Sequence, residues 1–212
     1  MLKIQTFTFN PFQENTYVLH NEKGEAVIID PGAYFPAEVQ SLKDYILRAG
    51  LRPKYLLNTH CHLDHVFSDK AVAETYQLEL FIHPFEEEIL INAKAAAEKF
   101  GLPFDEYRGN VNFLGEGDCI FLGEDELKII LAPGHSPGSI CFYNARQNFL
   151  IDGDVLFRQS IGRTDLYKGD HEQLLHSIKE KLFTLPDETV VYCGHGPSTS
   201  IGYEKMHNPF LQ

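Results

Sequence analysis

The sequence predicts a layered α/β or α+β domain in which two β-sheets pack together with helices outside. Strand-like runs give way to helix-like segments twice along the chain, the signature of a layered mixed fold. A polar, Gly/Pro-rich stretch from Gly101 to Asn112 separates the two series and reads as a connector. The 212 residues, 43% of them hydrophobic, suffice for a substantial core in one domain spanning 1–212.

Taken in order, strands are expected at Lys3 to Phe9, Asn15 to His20 and Ala26 to Ile29, the last ending in the turn signal Asp30-Pro31-Gly32. Val39, Leu42, Ile46 and Leu47 recur at helical spacing and predict a helix from Ala37 to Ala49. Tyr55 to Asn58 is a short apolar strand. A helix from Phe67 to Tyr76, a strand from Leu80 to His83 and a longer helix from Pro84 to Phe100 complete the first series. The second series has strands at Cys119 to Leu122, Leu127 to Ala132, Ile140 to Tyr143 and Asn148 to Asp152. A helix follows from His171 to Phe183, with Leu174, Leu175, Ile178 and Leu182 on one face, then a β-branched strand from Thr189 to Cys193.

Composition excludes several function classes. With 18 basic against 30 acidic residues the net charge is −12, and no basic run offers a nucleic-acid surface. The acidic groups Glu86 to Glu88, Glu116 to Asp118 and Glu124 to Glu126 read as solvated faces and turns. No apolar run reaches membrane-spanning length, and the N-terminus reads as a strand without the features of a signal peptide. Cys61, Cys119, Cys141 and Cys193 lack disulfide or Cys-x-x-Cys spacing, which favours a reducing, cytoplasmic setting.

The chemistry is concentrated in Thr59-His60-Cys61-His62-Leu63-Asp64-His65, where three imidazoles and a carboxylate fall within six consecutive residues. Imidazole and carboxylate together suit divalent cations. His60 and His62 are two apart and share a direction in an extended segment, whereas Asp64 and His65 must come from a turned backbone. One short segment can therefore serve two neighbouring metal ions. Three further residues sit in loops directly after apolar strands: His135, Asp154 and His195. His60 occupies the same kind of place. Functional groups at strand ends are a common way to hold a site on a rigid sheet.

These residues together resemble the metallo-β-lactamase superfamily, whose His-x-His-x-Asp-His motif is followed by a distant His, Asp and His. Asp30-Pro31-Gly32, Pro133 to Gly138, Gly153-Asp154 and Gly194-His195-Gly196 occur in family order. The resemblance implies a four-layer αββα sandwich with the metals at one edge, between the sheets. It implies His60, His62 and His135 on one ion, Asp64, His65 and His195 on the other, and Asp154 bridging. Asp30 would orient a ligand from behind. Cys61, between two ligands, is expected to point away, and Cys193 to pack in the interior.

Asp152 to Phe157, Ser160 to Asp165 and the tail from Gly194 resemble the glyoxalase II group, hydrolases of S-2-hydroxyacylglutathione, in its compact branch. Full-length members carry a C-terminal helical domain with basic contacts to glutathione; this sequence stops at Gln212. Arg163 falls where those enzymes place a substrate-facing basic residue, but Asp165 stands where a tyrosine is expected. The implied activity is thioester hydrolysis by a hydroxide formed between two cations, with Asp64 and Asp154 as the catalytic carboxylates. Zn²⁺ is the first choice of metal, with Fe and Mn also compatible. Two alternatives share the residues: a mononuclear Fe(II) persulfide dioxygenase and a lactonase.

Overall fold

A computed structural model describes residues 1–212 and resolves the sandwich into two six-stranded sheets. The first sheet begins as an antiparallel meander of β1 (Lys3–Phe9), β2 (Glu14–His20) and β3 (Glu25–Ile29). It continues as parallel strands β4 (Arg52–Leu57), β5 (Leu80–Ile82) and β6 (Val111–Phe113). Parallel neighbours need long crossovers. These are α1 (Pro36–Arg48), α2 (Asp69–Tyr76) and α3 (Glu87–Lys99).

The second sheet holds β7 (Cys119–Leu122), β8 (Asp125–Leu131), β9 (Ile140–Asn144) and β10 (Phe149–Gly153) as antiparallel neighbours. A short hairpin of β11 (Leu156–Phe157) and β12 (Ser160–Ile161) and the helix α4 (His171–Glu180) lead to β13 (Val190–Cys193), which pairs parallel to β10. β14 (Thr199–Ser200) and α5 (Ile201–His207) follow.

Four layers require three hydrophobic cores, and the alternation of side chains along each strand supplies them. Ala26 and Ile28 face outward onto Leu42 and Ile46 of α1 and Leu90 and Ala93 of α3. Val27 and Ile29, on the opposite face, meet Ile129, Ile140 and Phe142 between the sheets. Beyond the second sheet, Cys141, Leu150 and Val191 pack with Leu174 and Ile178 of α4 and Ile201 of α5. Strands buried on both faces read as near-continuous apolar runs, which is why 26–29 and 149–151 are so visible in the sequence.

The pairing registers align the functional loops. Ile29 lies opposite Leu57, so Asp30 emerges beside Asn58 and Thr59. Gly153 lies opposite Cys193, so Asp154 emerges beside Gly194. β8, β10 and β13 run in one sense, because β9 is antiparallel to both β8 and β10 and β13 is parallel to β10. Their C-terminal ends therefore share one edge.

The structure departs from the expected elements in several places. The helix expected from Pro84 begins as a 3-10 turn, Pro84–Glu86, before α3. The stretch 101–112 returns to the first sheet as β6, and the crossing between sheets falls at Leu114 to Asp118. The hairpin β11–β12, β14 and α5 are too short for a periodic signal. Glu86 and Asp125 do not lie on solvated faces. Glu86 is fully buried, and Asp125 is covered where it pairs with the Met1 amino group at 3.2 Å. No helix is long and apolar enough to cross a membrane.

Candidate metal centre

β4 delivers His60, and the backbone at His62 is still extended, with φ −64° and ψ 152°. A single 3-10 turn, Leu63–His65, then rotates Asp64 and His65 into a second direction. His135 follows β8, Asp154 follows β10 and His195 follows β13, so the second sheet supplies three groups from one edge. The edges are laced together: Ile140 N donates to Thr59 O at 2.8 Å, and Asn15 N donates to Gly194 O at 2.7 Å.

All seven predicted side chains converge in two clusters. In the first, His135 Nε2 lies 3.1 Å from His60 Nε2 and 2.8 Å from His62 Nδ1. In the second, His195 Nε2 lies 3.1 Å from Asp64 Oδ2, and His65 Nε2 lies 3.9 Å from the same atom. Asp154 stands between them, with oxygens 3.6 Å from His135 Nε2 and 3.5 Å from both His65 Nε2 and His195 Nε2. Within each of the sets His60/His62/His135, Asp64/His65/His195 and His60/His65/Asp154, the donor atoms lie within 4.8 Å of one another.

The reverse faces of four of the five imidazoles are tied down. His65 Nδ1 donates to Asp30 Oδ2 at 3.1 Å, and His135 Nδ1 to Arg163 O at 2.7 Å. His195 Nδ1 lies 3.1 Å from Phe12 O. Thr59 Oγ1 donates to Asp30 Oδ2 at 2.6 Å, which leaves its lone pair to accept from His60 Nδ1 at 3.1 Å. Such contacts put the proton on Nδ1 and turn the Nε2 lone pair inward. Asp30 also accepts from Thr59 N at 2.7 Å and adopts a left-handed backbone with φ +50°, a strained conformation at a functional site.

The two clusters differ electrostatically. Burial pushes His60 and His135 below the ordinary histidine range and His62 down to about 3. Burial acts the same way on His65, but Asp154, Asp64 and Asp30 outweigh it and hold that imidazole well above its usual value. His195 is likewise lowered by burial yet raised overall, by Asp64 and Asp154. Burial works against ionising Asp154, but His65, His135 and His195 hold its carboxyl below the usual range.

Two atoms test whether these residues suit a metal. His65 Nε2 and Asp154 Oδ1 are buried without a hydrogen-bond partner, a costly state for polar atoms. Opposed imidazole lone pairs in the first cluster are equally unfavourable alone. A divalent cation among them removes both costs, and the N/O donor set matches zinc, iron or manganese. The residues fit.

Arg163 takes part through its backbone. Its guanidinium is exposed and paired to Asp165 by two bonds of 2.7 Å. Cys61 is buried in the outer core and Cys193 beneath the second sheet. Several supporting residues escaped sequence reasoning. Asn10 Nδ2 donates to Asp64 O and Gly32 O at 2.9 Å each, and Asn15 Nδ2 to Cys193 O and Gly196 O at 3.1 and 2.9 Å. Neither carries a local signal: Asn15 reads only as the start of a strand. Gly194 is needed for close approach, since a Cβ there would lie 2.1 Å from Asp154 Oδ1.

Comparison with known proteins agrees with this geometry. The family model described as "Metallo-beta-lactamase superfamily" matches residues 9–195. The probable metallo-hydrolase YqgX of Bacillus subtilis is 37% identical, with 99% of this chain and 98% of that protein covered. The hydroxyacylglutathione hydrolase GloC of Haemophilus influenzae is 36% identical at the same coverage. Among solved structures, the BLEG-1 B3 metallo-beta-lactamase superposes with a TM-score of 0.91 at 39% identity, covering 99% of this chain and 100% of that one. TTHA1623 in a di-iron-bound form gives 0.87 at 37% identity, covering 98% and 100%.

Proposed function

The chain belongs to the metallo-beta-lactamase superfamily, and on that premise we propose that it is a metal-dependent hydrolase of thioesters, with S-2-hydroxyacylglutathione as the first substrate to test. One observation carries the proposal: Asp154 stands between two complete donor clusters, within 3.6 Å of His135, His65 and His195. Full-length similarity to GloC supports the thioester in particular. The di-iron form of TTHA1623 keeps iron beside zinc among the candidate metals.

His60, His62 and His135 would hold one cation, Asp64, His65 and His195 a second, with Asp154 shared. Cations held there would polarise the thioester carbonyl and bring the pKa of a water molecule down toward about 7. Asp64 and Asp154 would accept a hydrogen bond from that water and aim its lone pair at the carbonyl carbon. Asn10 holds the Asp64 carbonyl, Asp30 holds His65 and Thr59, and Thr59 holds His60, so the geometry is set before substrate arrives and little reorganisation is left for the reaction itself. The departing thiol has an ordinary pKa near about 8.5, so it leaves as thiolate without a dedicated acid. To present its Nε–Nη2 edge to a substrate carboxylate, Arg163 would have to exchange Asp165 for it.

The test is hydrolysis of S-D-lactoylglutathione and other thioesters by purified protein, with metals measured in the same preparation. Turnover with two metal equivalents per chain is expected. Absence of turnover on every thioester by fully loaded protein would overturn the thioester reading. One iron per chain with oxygen uptake on glutathione persulfide would replace hydrolysis with oxygenation.

A further inference from the structure

Glu86 closes the 3-10 turn that precedes α3 and is fully buried, although its neighbours Glu87 and Glu88 are exposed. Its carboxylate takes three donors. Oε2 accepts from Cys61 N at 2.8 Å, and Oε1 accepts from Gly138 N at 2.7 Å and from Ser136 Oγ. Cys61 lies between His60 and His62, in the loop after β4 of the first sheet. Ser136 directly follows His135, in the loop after β8 of the second. A single side chain therefore clamps the two loops that carry all three imidazoles of the first cluster. None of its bonds reaches Asp64, His65 or His195.

The contact is built for closeness. A Cβ on Gly138 would lie 2.9 Å from Glu86 Cγ and 3.1 Å from Glu86 N, so the glycine lets the two backbones meet. A buried carboxylate is tolerated when its hydrogen-bonding capacity is filled, and such a group specifies one arrangement of its donors. A neutral amide could not accept from all three. The apolar spacing of α3 gives no reason for an acid at this position, whereas the two ligand loops do.

We propose that Glu86 is a positioning residue that sets the spacing of His60, His62 and His135, and thereby the affinity of that cluster for a divalent cation, without touching the cation or the second cluster. The inference rests on the metal reading above. Metal-stripped wild type, Glu86→Gln and Ser136→Ala would be titrated with Zn²⁺ in a calorimeter against a competing chelator, with His62→Ala marking the equivalent that belongs to the first cluster. Glu86→Gln is expected to weaken that same equivalent by about 10–100-fold, the usual cost of losing a group behind a ligand, and to leave the other equivalent unchanged. Ser136→Ala, which removes one donor of three, should weaken it less.

Wild-type affinity for both equivalents in Glu86→Gln would overturn the assignment. So would an equal loss at both, accompanied by an equal fall in metal-free thermal stability, because that is the pattern of a purely structural group. If Glu86→Gln fails to fold, Ser136→Ala decides by the same criterion. Failure of the wild type to take up Zn²⁺ would instead sink the metal reading on which this one depends.

Discussion

The two donor clusters share Asp154 and an edge of the sandwich, yet they are chemically unlike. The His60/His62/His135 cluster is all imidazole, and burial strips its rings of protons. The Asp64/His65/His195 cluster carries carboxylate within and Asp30 behind, and its rings hold protons more firmly. The first cluster thus offers lone pairs that are already free. The second offers charge compensation but must first give up a proton to a cation. The difference teaches that two donor clusters on one edge can be chemically unequal: carboxylates touch the rings of one directly, whereas Asp30 reaches the other only through Thr59 and His60.

The comparison can be broken first at the shared residue. Asp154→Ala should weaken both metal equivalents by more than the roughly 10–100-fold that follows loss of a group behind a ligand, and thioester hydrolysis should fall with them. His62→Ala should remove one equivalent only. Equal loss in the two variants, read by metal analysis after dialysis, would mean that the clusters are not separable.

Next in size is Asp30→Ala, which leaves His65 Nδ1, Thr59 N and Thr59 Oγ1 without their acceptor. Each buried group left unpaired costs about 1–3 kcal/mol, so chemical denaturation should show a loss of at least that size. Metal loss should be greater on the carboxylate cluster, where Asp30 holds His65 directly, than on the first, which it reaches through Thr59 and His60. A variant as stable as wild type would deny Asp30 its place in the network.

A smaller effect, but a sharper one, is the order of protonation. In metal-free protein, His65 and His195 have raised folded values, so each stays protonated as pH climbs through the range where an ordinary histidine has become neutral. His60, His62 and His135 have lowered values and are neutral throughout that range. The proton on His65 accordingly contributes stability below the unfolded pKa of about 6.5, and the contribution is lost as pH rises through the raised folded value. NMR titration of the imidazoles would reverse the contrast if His62 protonated before His65 on acidification.

The smallest effect is expected at Arg163. The Arg163–Asp165 pair is solvent-exposed and screened, so exchanging Asp165 for a substrate carboxylate gains little. Arg163→Ala should raise KM by no more than about fivefold and leave kcat unchanged. A fall in kcat would show that His135, anchored on the Arg163 carbonyl, had moved.

The sequence made the seven converging donors legible because each position announces itself locally, Asp154 among them by following an apolar strand and Gly153. Four lie in one motif, and His135 and His195 follow strongly apolar strands beside glycines. Layering was legible for a related reason: strands buried on both faces are apolar over their whole length. What stayed hidden depends on partners distant in the chain. Glu86 looks like any acidic residue in a first helical turn until Cys61 and Gly138 are seen to reach it across the two sheets. Asn10 looks like a turn residue and Asn15 like the start of a strand until their amides are found holding carbonyls of Asp64 and Cys193. β6 is three residues long and exists because β5 offers it an edge. Arg163 was legible by position, but its pairing with Asp165 needed coordinates.

Gly194 carries a consequence for how this enzyme can change over generations. A Cβ on residue 194 would lie 2.1 Å from Asp154 Oδ1, so the floor beneath the two donor clusters has no room for a side chain. Novelty in what is bound must therefore arrive through the surrounding walls, such as the Arg163 to Asp170 loop.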